Sequence, residues 1–326
     1  MNICFTICTN SHLGKAKAMA DSIIRYNPHY EVVIGLMDRL TSQVQQELLS
    51  PHTIIEVEDI QIPDFEAITK KYTLFEISCV GKPYFAMYLF EHYPELSELF
   101  YFDSDIYFYD TLQSVEQLLD EHDICISTHF THDLVSECQP QMRNFLNAGL
   151  YNTGFLGFKR SAETNRFLEW WANRLQHEGF INFAEGMFVD QLWVNFVPLL
   201  FKKVWIDADV GHNVGYWNFH ERVVTLQEGK YFINDTTPLV FFHFSGYEPT
   251  VPQHLSVHQD LYSFQSRPDV VPIFEEYRKA LIESHHAQFQ TLPNAFYKRR
   301  YFYQKTKGLQ KKLVVVLRNL LRVLES

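Results

Sequence analysis

Cysteine is scarce in this chain of 326 residues: five, Cys4, Cys8, Cys79, Cys125 and Cys138, an odd number with no CxxC pair and no zinc-ligand spacing. That excludes a disulfide framework and a structural zinc module. Cys4 and Cys8 fall in an apolar stretch where a free thiol acts as a small buried hydrophobe, so the expected compartment is reducing, the cytoplasm. A secretory leader is missing as well, since "MNICFTICTN" has neither a basic start nor a long apolar core. No apolar run approaches the ~20 residues needed to span a bilayer. There is no internal repeat and no low-complexity segment. Basic charge is lacking over most of the chain: of the formal −11, residues 291–326 carry +8, with nine Lys or Arg against Glu325, which leaves −19 on residues 1–290. Such a body offers no basic face, so nucleic acid is excluded as its general partner.

Aromatic residues are plentiful, at 16% of the chain with 28 Phe and 18 Tyr. They suit a dense core, and equally a site that stacks a base or the face of a sugar ring. The order of segments predicts an α/β fold with a mostly parallel central sheet. "NICFTICTN" reads as a buried strand closing on Thr9 and Asn10, "GKAKAMADSIIRYNP" as a helix stopped at Asn27–Pro28, and "YEVVIGLMD" as a second strand ending at Asp38. A βαβ start of this kind puts ligand-facing residues at the carboxyl ends of the strands. A helix around Thr41–Leu49 and a weak strand "TIIEVED" follow. "TLFEISCVGKPYFAMYLFEHY" predicts a helix broken or restarted at Lys82–Pro83. "DICIST" reads as a strand, "GLYNTGFLGFKRS" as a strand pair or one kinked strand, "AETNRFLEWWANRLQ" as an amphipathic helix, "FVDQLWVNFVP" as a short helix and "PLVFFHFSG" as a last strand. From about 255 the texture becomes helical.

The segment "YFDSDIYFYD" sets two carboxylates, Asp103 and Asp105, inside an aromatic run. In an extended strand residues i and i+2 face the same way, so both acids would address one ion, with Ser104 turned aside. Solvated acids at a strand end are the bland alternative, but burying two unpaired carboxylates costs several kcal/mol each and a cation removes that cost. Hard oxygen donors select Mg²⁺ or Mn²⁺.

In order, "YFDSDIYFYD", "NAGLYNTGFLGF", "FVDQLWVN" and "FFHFSG" resemble the motifs of nucleotide-sugar glycosyltransferases of the A-type fold, nearest to the retaining family-eight-like enzymes of bacterial surface glycans. The resemblance spans roughly residues 1–250. The helical texture from about 255 and the bases beyond 297 mark off a helical extension over 255–296 and a basic amphipathic tail over 297–326; the resemblance implies a Rossmann-like catalytic domain over 1–254. It implies Mn²⁺ or Mg²⁺ held by Asp103, Asp105 and His243, and a donor-facing set of Asn152 and Gly154. Asp190 and Gln191 would lie near the reacting carbon, and Thr9, Asn10 and Asp38 near base and ribose. Ser104 and Gly246 join the donor-binding set by the same resemblance. Each residue also has a plain structural reading: a core histidine for His243, a turn for Asn152–Gly154, a helix cap for Asp190.

One position departs from the family pattern. After the histidine that pattern carries a lysine for the leaving diphosphate, whereas "HFSGYEPT" has Glu248 and Pro249. Lys82 is the first candidate to replace it, and His254 or His258 the second. The implied partners are a nucleoside-diphosphate sugar and a saccharide or glycolipid acceptor. Were the reaction inverting, Asp207, Asp209 or Glu221 would be candidate bases. Tyr216 and Trp217 read as acceptor-stacking or as core aromatics. The tail, "KKLVVVLRNLLRVLES", reads as a membrane-surface helix at the inner face of the membrane or as a docked C-terminal helix. Two other functions fit paired acids: a metal-dependent phosphoesterase or nucleotidyltransferase, and a non-catalytic nucleotide-sugar binder.

Overall fold

The structure is a computed structural model, and it describes residues 2–41, 44, 46–296 and 313. The expected βαβ start is present. Strand β1 (Asn2–Cys8) runs into helix α1 (Leu13–Tyr26), and β2 (Tyr30–Leu36) pairs with β1 in parallel. Asn27 ends α1 as its sequence suggests. Its backbone N–H and side-chain amide both reach the Ile23 carbonyl, and its side-chain oxygen accepts from Leu112 N. β3 (Thr53–Glu56) extends the sheet, followed by α2 (Phe65–Lys71) and α3 (Leu74–His92). Strands β4 (Glu98–Phe102) and β5 (Ile106–Phe108) flank the two acids, and the short α4 (Gln113–Glu116) leads to β6 (Ile124–Thr128).

After α5 (Met142–Ala148), strand β7 (Tyr151–Lys159) lies antiparallel between β4 and β6. α6 (Ala162–Glu178) is followed by a two-residue hairpin, β8 (Ile181–Asn182) and β9 (Met187–Phe188), which delivers the chain to α7 (Val189–Val194) and α8 (Val197–Leu200). β10 (Val204–Asp207) closes the far edge of the sheet. The small sheet β11 (Val224–Gln227), β12 (Lys230–Ile233) and β13 (Thr237–Pro238) precedes β14 (Phe241–His243). Helices α9 (Val271–Glu283) and α10 (His286–Phe289) pack on α1. The main sheet has the order β10-β6-β7-β4-β1-β2-β3, parallel except for β7.

Three local expectations change. The helix predicted to break at Lys82–Pro83 runs through Pro83 without interruption. Thr73 and Glu76 form a capping box at its start, and Ile77, Val80, Phe85, Ala86 and Leu89 bury it against the sheet and α6. That burial outweighs the ~3 kcal/mol a helical proline costs. The stretch from Asp103 to Asp105 is not extended. β4 ends at Phe102, and Ile106 N donates to Asp103 O across a tight turn, so the acids converge by turn geometry rather than by strand alternation. The last strand is present as β14 and forms a two-stranded sheet with β5. Part of the helix expected around Thr41–Leu49 falls on residues that are not described; what is seen there is a single 3-10 turn at Gln46–Leu49. Among the described residues no helix is long and apolar enough to cross a membrane. The basic amphipathic tail expected over 297–326 lies outside the described residues, Leu313 excepted.

Under the site the core is aromatic. Trp171 is fully buried, stacks on Phe167 at 5.4 Å and donates from Nε1 to the Asp190 carbonyl at 3.3 Å. Trp171→Ala should lower unfolding free energy by about 3–5 kcal/mol, read as a drop in urea midpoint; a drop below 1 kcal/mol would show that this indole does not anchor α7.

Candidate functional site

Pairing of β14 with β5 sets Phe242 opposite Tyr107 and His243 opposite Ile106, and Phe244 N donates to Asp105 O at 2.8 Å. His243 therefore lands on the Asp103–Asp105 turn from 138 residues away in sequence. Its Nε2 lies 3.1 Å from Asp105 Oδ1 and 3.8 Å from Asp103 Oδ2, and one ligand atom from each of the three residues falls within 4.8 Å of the others. The other ring nitrogen, Nδ1, sits 3.2 Å from Asn213 Oδ1. The Asn213 amide nitrogen donates to Ser127 Oγ at 3.3 Å, so its oxygen is the atom left to face the ring. Nδ1 must then carry the proton, and the Nε2 lone pair points at two carboxylates. Lone pair against carboxylate is repulsive unless a cation or a second proton lies between them. A carboxylate–carboxylate–imidazole set suits Mn²⁺ or Mg²⁺, with Asn213 orienting the imidazole from behind. Burial raises the Asp105 pKa, but without a cation a second proton on the His243 ring, with its charge and hydrogen bond, and then the charges of Lys15 and His12, outweigh it and hold the carboxyl well below its usual range.

Lys82, buried on α3, lies 2.8 Å from Asp190 Oδ2 and 3.4 Å from Asp103 Oδ1, over the face of Tyr101. It also donates to the Thr153 carbonyl at 3.0 Å. Burial opposes its charge, but Asp103 and Asp190 more than offset that and raise its pKa above the ordinary lysine value. Asp190 heads α7 directly after Val189, whose φ is +38°. A β-branched residue in the left-handed region is strained by roughly 1–3 kcal/mol. That strain, together with the Val189 N–H donated to Phe180 O, fixes the direction of Asp190.

β7 brings the donor-facing pair. Asn152 Oδ1 accepts from Gly154 N at 2.9 Å, and a Cβ on Gly154 would lie 2.4 Å from the His243 ring, so only glycine fits there. Gly154 O in turn accepts from Asp103 N. Gln191 bridges Ala148 O and Thr153 N, at 2.9 and 3.4 Å.

No protein-family model matches the chain. An uncharacterized Bacillus subtilis protein, YfnF, is 26% identical over 285 residues, covering 85% of this chain and 90% of its own; a second, YfnD, is 22% identical over 251 residues, covering 74% and 76%. The galactosyltransferase LgtC, solved with donor and acceptor sugar analogs, superposes with a TM-score of 0.51 at 14% identity over 90% of this chain and 98% of that one. The bifunctional glycosyltransferase WbbM does so with a TM-score of 0.51 at 12% identity, over 89% of this chain and about half (52%) of its own. The chain has the A-type glycosyltransferase fold.

Within that fold the remaining expected residues fall as follows. Thr9 and buried Asn10 stand at the end of β1. Thr9 Oγ1 contacts Ser11 Oγ, and the Asn10 amide donates to Arg39 O and Pro293 O. Asp38, fully buried at the end of β2, accepts from Asn294 Nδ2 at 2.6 Å and from the N–H groups of Ala295 and Arg39. Burial raises its pKa against those hydrogen bonds. Ser104 is half-buried in the turn, and Gly246 has a φ of +72° with His258 against its α-carbon. Asp207 binds His212, Asp209 caps Gly211, and Glu221 holds the backbone at Thr131 and His132, so all three candidate bases are engaged in local structure. Trp217 is buried edge-on to His243 at 5.1 Å, which makes it a wall of the metal set; Tyr216 beside it stays partly exposed.

Two residues carried no sequence signal and prove central: Asn213, and His129 at the end of β6. His129 Nδ1 lies 3.1 Å from Leu150 O, and its Nε2 is 3.3 Å from Asn152 Nδ2. A neutral ring that donates from Nδ1 and accepts at Nε2 satisfies both contacts. Burial pushes its pKa down to about 4. The unfolded chain, with a pKa near 6.5, binds a proton there first as pH falls, so this residue's share of stability is complete above about pH 6.5 and is lost between 6.5 and 4. His129→Gln should abolish about 2–3 kcal/mol of the stability difference between pH 7 and pH 4.5, measured by urea unfolding. Identical pH slopes in variant and wild type would refute the neutral tautomer.

Proposed function

We propose that this protein is a metal-dependent glycosyltransferase that moves a sugar from a nucleoside diphosphate to a hydroxyl of a saccharide or lipid-linked glycan of the cell envelope, with retention of configuration. The observation that carries the reading is the convergence of Asp103, Asp105 and His243 next to Asn152 and Gly154 at the carboxyl edge of an A-type sheet. That LgtC was solved with donor and acceptor sugar analogs is consistent with it.

A divalent cation held by Asp103, Asp105 and His243 would supply Lewis-acid charge for the diphosphate oxygens. The residues of this chain do the rest. Asn213 accepts from the His243 Nδ1–H and so turns Nε2 toward the two carboxylates. Asn152, held by His129 and Gly154, would face the donor sugar. Asp190 and Gln191 are the residues assigned to the anomeric carbon, where a carboxylate field would stabilise an oxocarbenium-like transition state. Lys82 stands between Asp103 and Asp190 and keeps their charges from repelling one another. Retention by front-face transfer needs no separate base, in keeping with the structural engagement of Asp207, Asp209 and Glu221.

Thermal unfolding with uridine, guanosine, cytidine and thymidine diphosphates, with and without Mn²⁺, tests the reading. One nucleotide at about a hundred times its Kd should add about 2.7 kcal/mol of stability only when metal is present. Asp105→Ala should lose that metal-linked part and keep its ligand-free stability. Stabilisation that persists undiminished in Asp105→Ala would refute the site.

Peripheral membrane contact through residues 297–326 belongs to the same proposal, resting on the nine bases there and on Leu313, Val316, Leu317, Leu320, Leu321 and Leu324. The full chain should sediment with vesicles containing anionic lipid and lose most of that binding on deletion of 297–326; equal partition of both forms would remove the membrane contact.

A further inference from the structure

Lys82 is fully committed to Asp103, Asp190 and Thr153, so it is not free to meet a phosphate. A different lysine is. Lys15, in the first turn of α1, has a side chain only 5% exposed, and its ammonium meets the Tyr247 carbonyl at 3.2 Å and Glu248 Oε1 at 3.7 Å. The Glu248 side chain is 38% exposed. A buried ammonium held by one distant, half-solvated carboxylate is poorly compensated, since such a pair gains little against the cost of desolvating the lysine. Hydrogen bonds tie Lys15 to the Asp105 turn: Phe244 N donates to Asp105 O at 2.8 Å, Tyr247 N donates to Phe244 O at 2.9 Å, and the Lys15 ammonium donates to Tyr247 O. From α10, His286 packs against Gly14, its pKa pushed down to about 3 by burial and by the charges of Lys15 and His12, and Gln290 at the helix end donates from Nε2 to Glu248 Oε2 at 3.4 Å.

We propose that Lys15 is the cation that neutralises the diphosphate of the bound nucleotide, exchanging Glu248 for a phosphate oxygen while Glu248 turns into solvent. In the ligand-free protein Glu248 stands in for the phosphate. Two features follow from the geometry. The positive charge comes from the start of α1 rather than from the loop after His243, where Glu248 and Pro249 stand. The exchange also favours a diphosphate over a monophosphate, because charge lost at Glu248 must be regained at the second phosphate. This inference rests on the nucleotide-sugar reading above and deepens it.

The test is calorimetric titration, with Mn²⁺, of the nucleoside diphosphate that stabilises the wild type and of the matching monophosphate, into wild type, Lys15→Met, Lys15→Arg and Glu248→Gln. Lys15→Met should bind the diphosphate about 10- to 100-fold more weakly, with the monophosphate changed by less than about threefold, and Lys15→Arg should recover most of the loss. Glu248→Gln, which removes the competing carboxylate, should bind the diphosphate more tightly. Diphosphate binding by Lys15→Met within twofold of wild type would overturn the inference alone. So would weaker binding by Glu248→Gln, because then the pair would serve as a tether for the 247–248 loop. Failure of every nucleoside diphosphate to bind the wild type would overturn the glycosyltransferase reading and this inference with it. Ligand-free melting temperatures of the four proteins separate a folding defect from a binding one.

Discussion

Three residue pairs between β5 and β14 hold the candidate site together. Without that ladder, Asp103 and Asp105 would be two acids at a strand end and His243 a core histidine. The pairing converts them into a donor set because it fixes the register. A slip of one residue would turn His243 to the opposite face and send Phe242 or Phe244 toward the acids. The ladder is locked from both sides by aromatics: Phe108 and Phe241 pack on Phe102 and Phe155, while Phe242 and Phe244 pack on Phe274. The abundance of phenylalanine thus acts on function through register.

Around that ladder the charges are arranged in alternation. Asp190, Lys82, Asp103, the place for a cation, Asp105 and then Lys15 and Glu248 form a chain of opposite signs across the carboxyl edge of the sheet. Asp103 and Asp190 share Lys82 within 3.4 Å, which offsets their burial, whereas Lys15 has only the half-exposed Glu248 at 3.7 Å. Val189 and Asn213 both adopt positive φ in this region, and that of Val189, the β-branched and so the more strained of the two, aims Asp190 at Lys82.

Much of this was legible in the amino-acid order, for physical reasons. Apolar runs closing on polar residues mark strand ends, and in a parallel sheet strand ends are where ligands sit, so Thr9, Asn10, Asp103 and Asp105 could be placed in advance. The turn between the two acids could not, because a three-residue break inside an aromatic run leaves strand alternation intact on paper. Pro83 misled because the helix around it is buried, and packing overrode the local preference. Asn213 and His129 lie 30 and 23 residues from the partners they orient, with no local pattern to announce them. Lys15 stands in "GKAKAMAD" beside Lys17, and nothing in that string separates them. The fold does: Lys17 pairs with Asp21 one turn away, while Lys15 is buried toward the site.

β7 runs against every strand beside it. Its beginning therefore shares an edge with the endings of its neighbours, and Asn152 and Gly154 reach the reactive rim from a strand's entrance. The connection feeding that entrance, from α5 through Gly149, meets the same rim as the Asp103–Asp105 turn, whereas the exit at Lys159 and Arg160 opens on the opposite edge, where Arg160 braces Leu96 and Phe90. On the proposed function, changes to the loop before Tyr151 would alter which sugar is accepted while leaving Asp103, Asp105 and His243 in place.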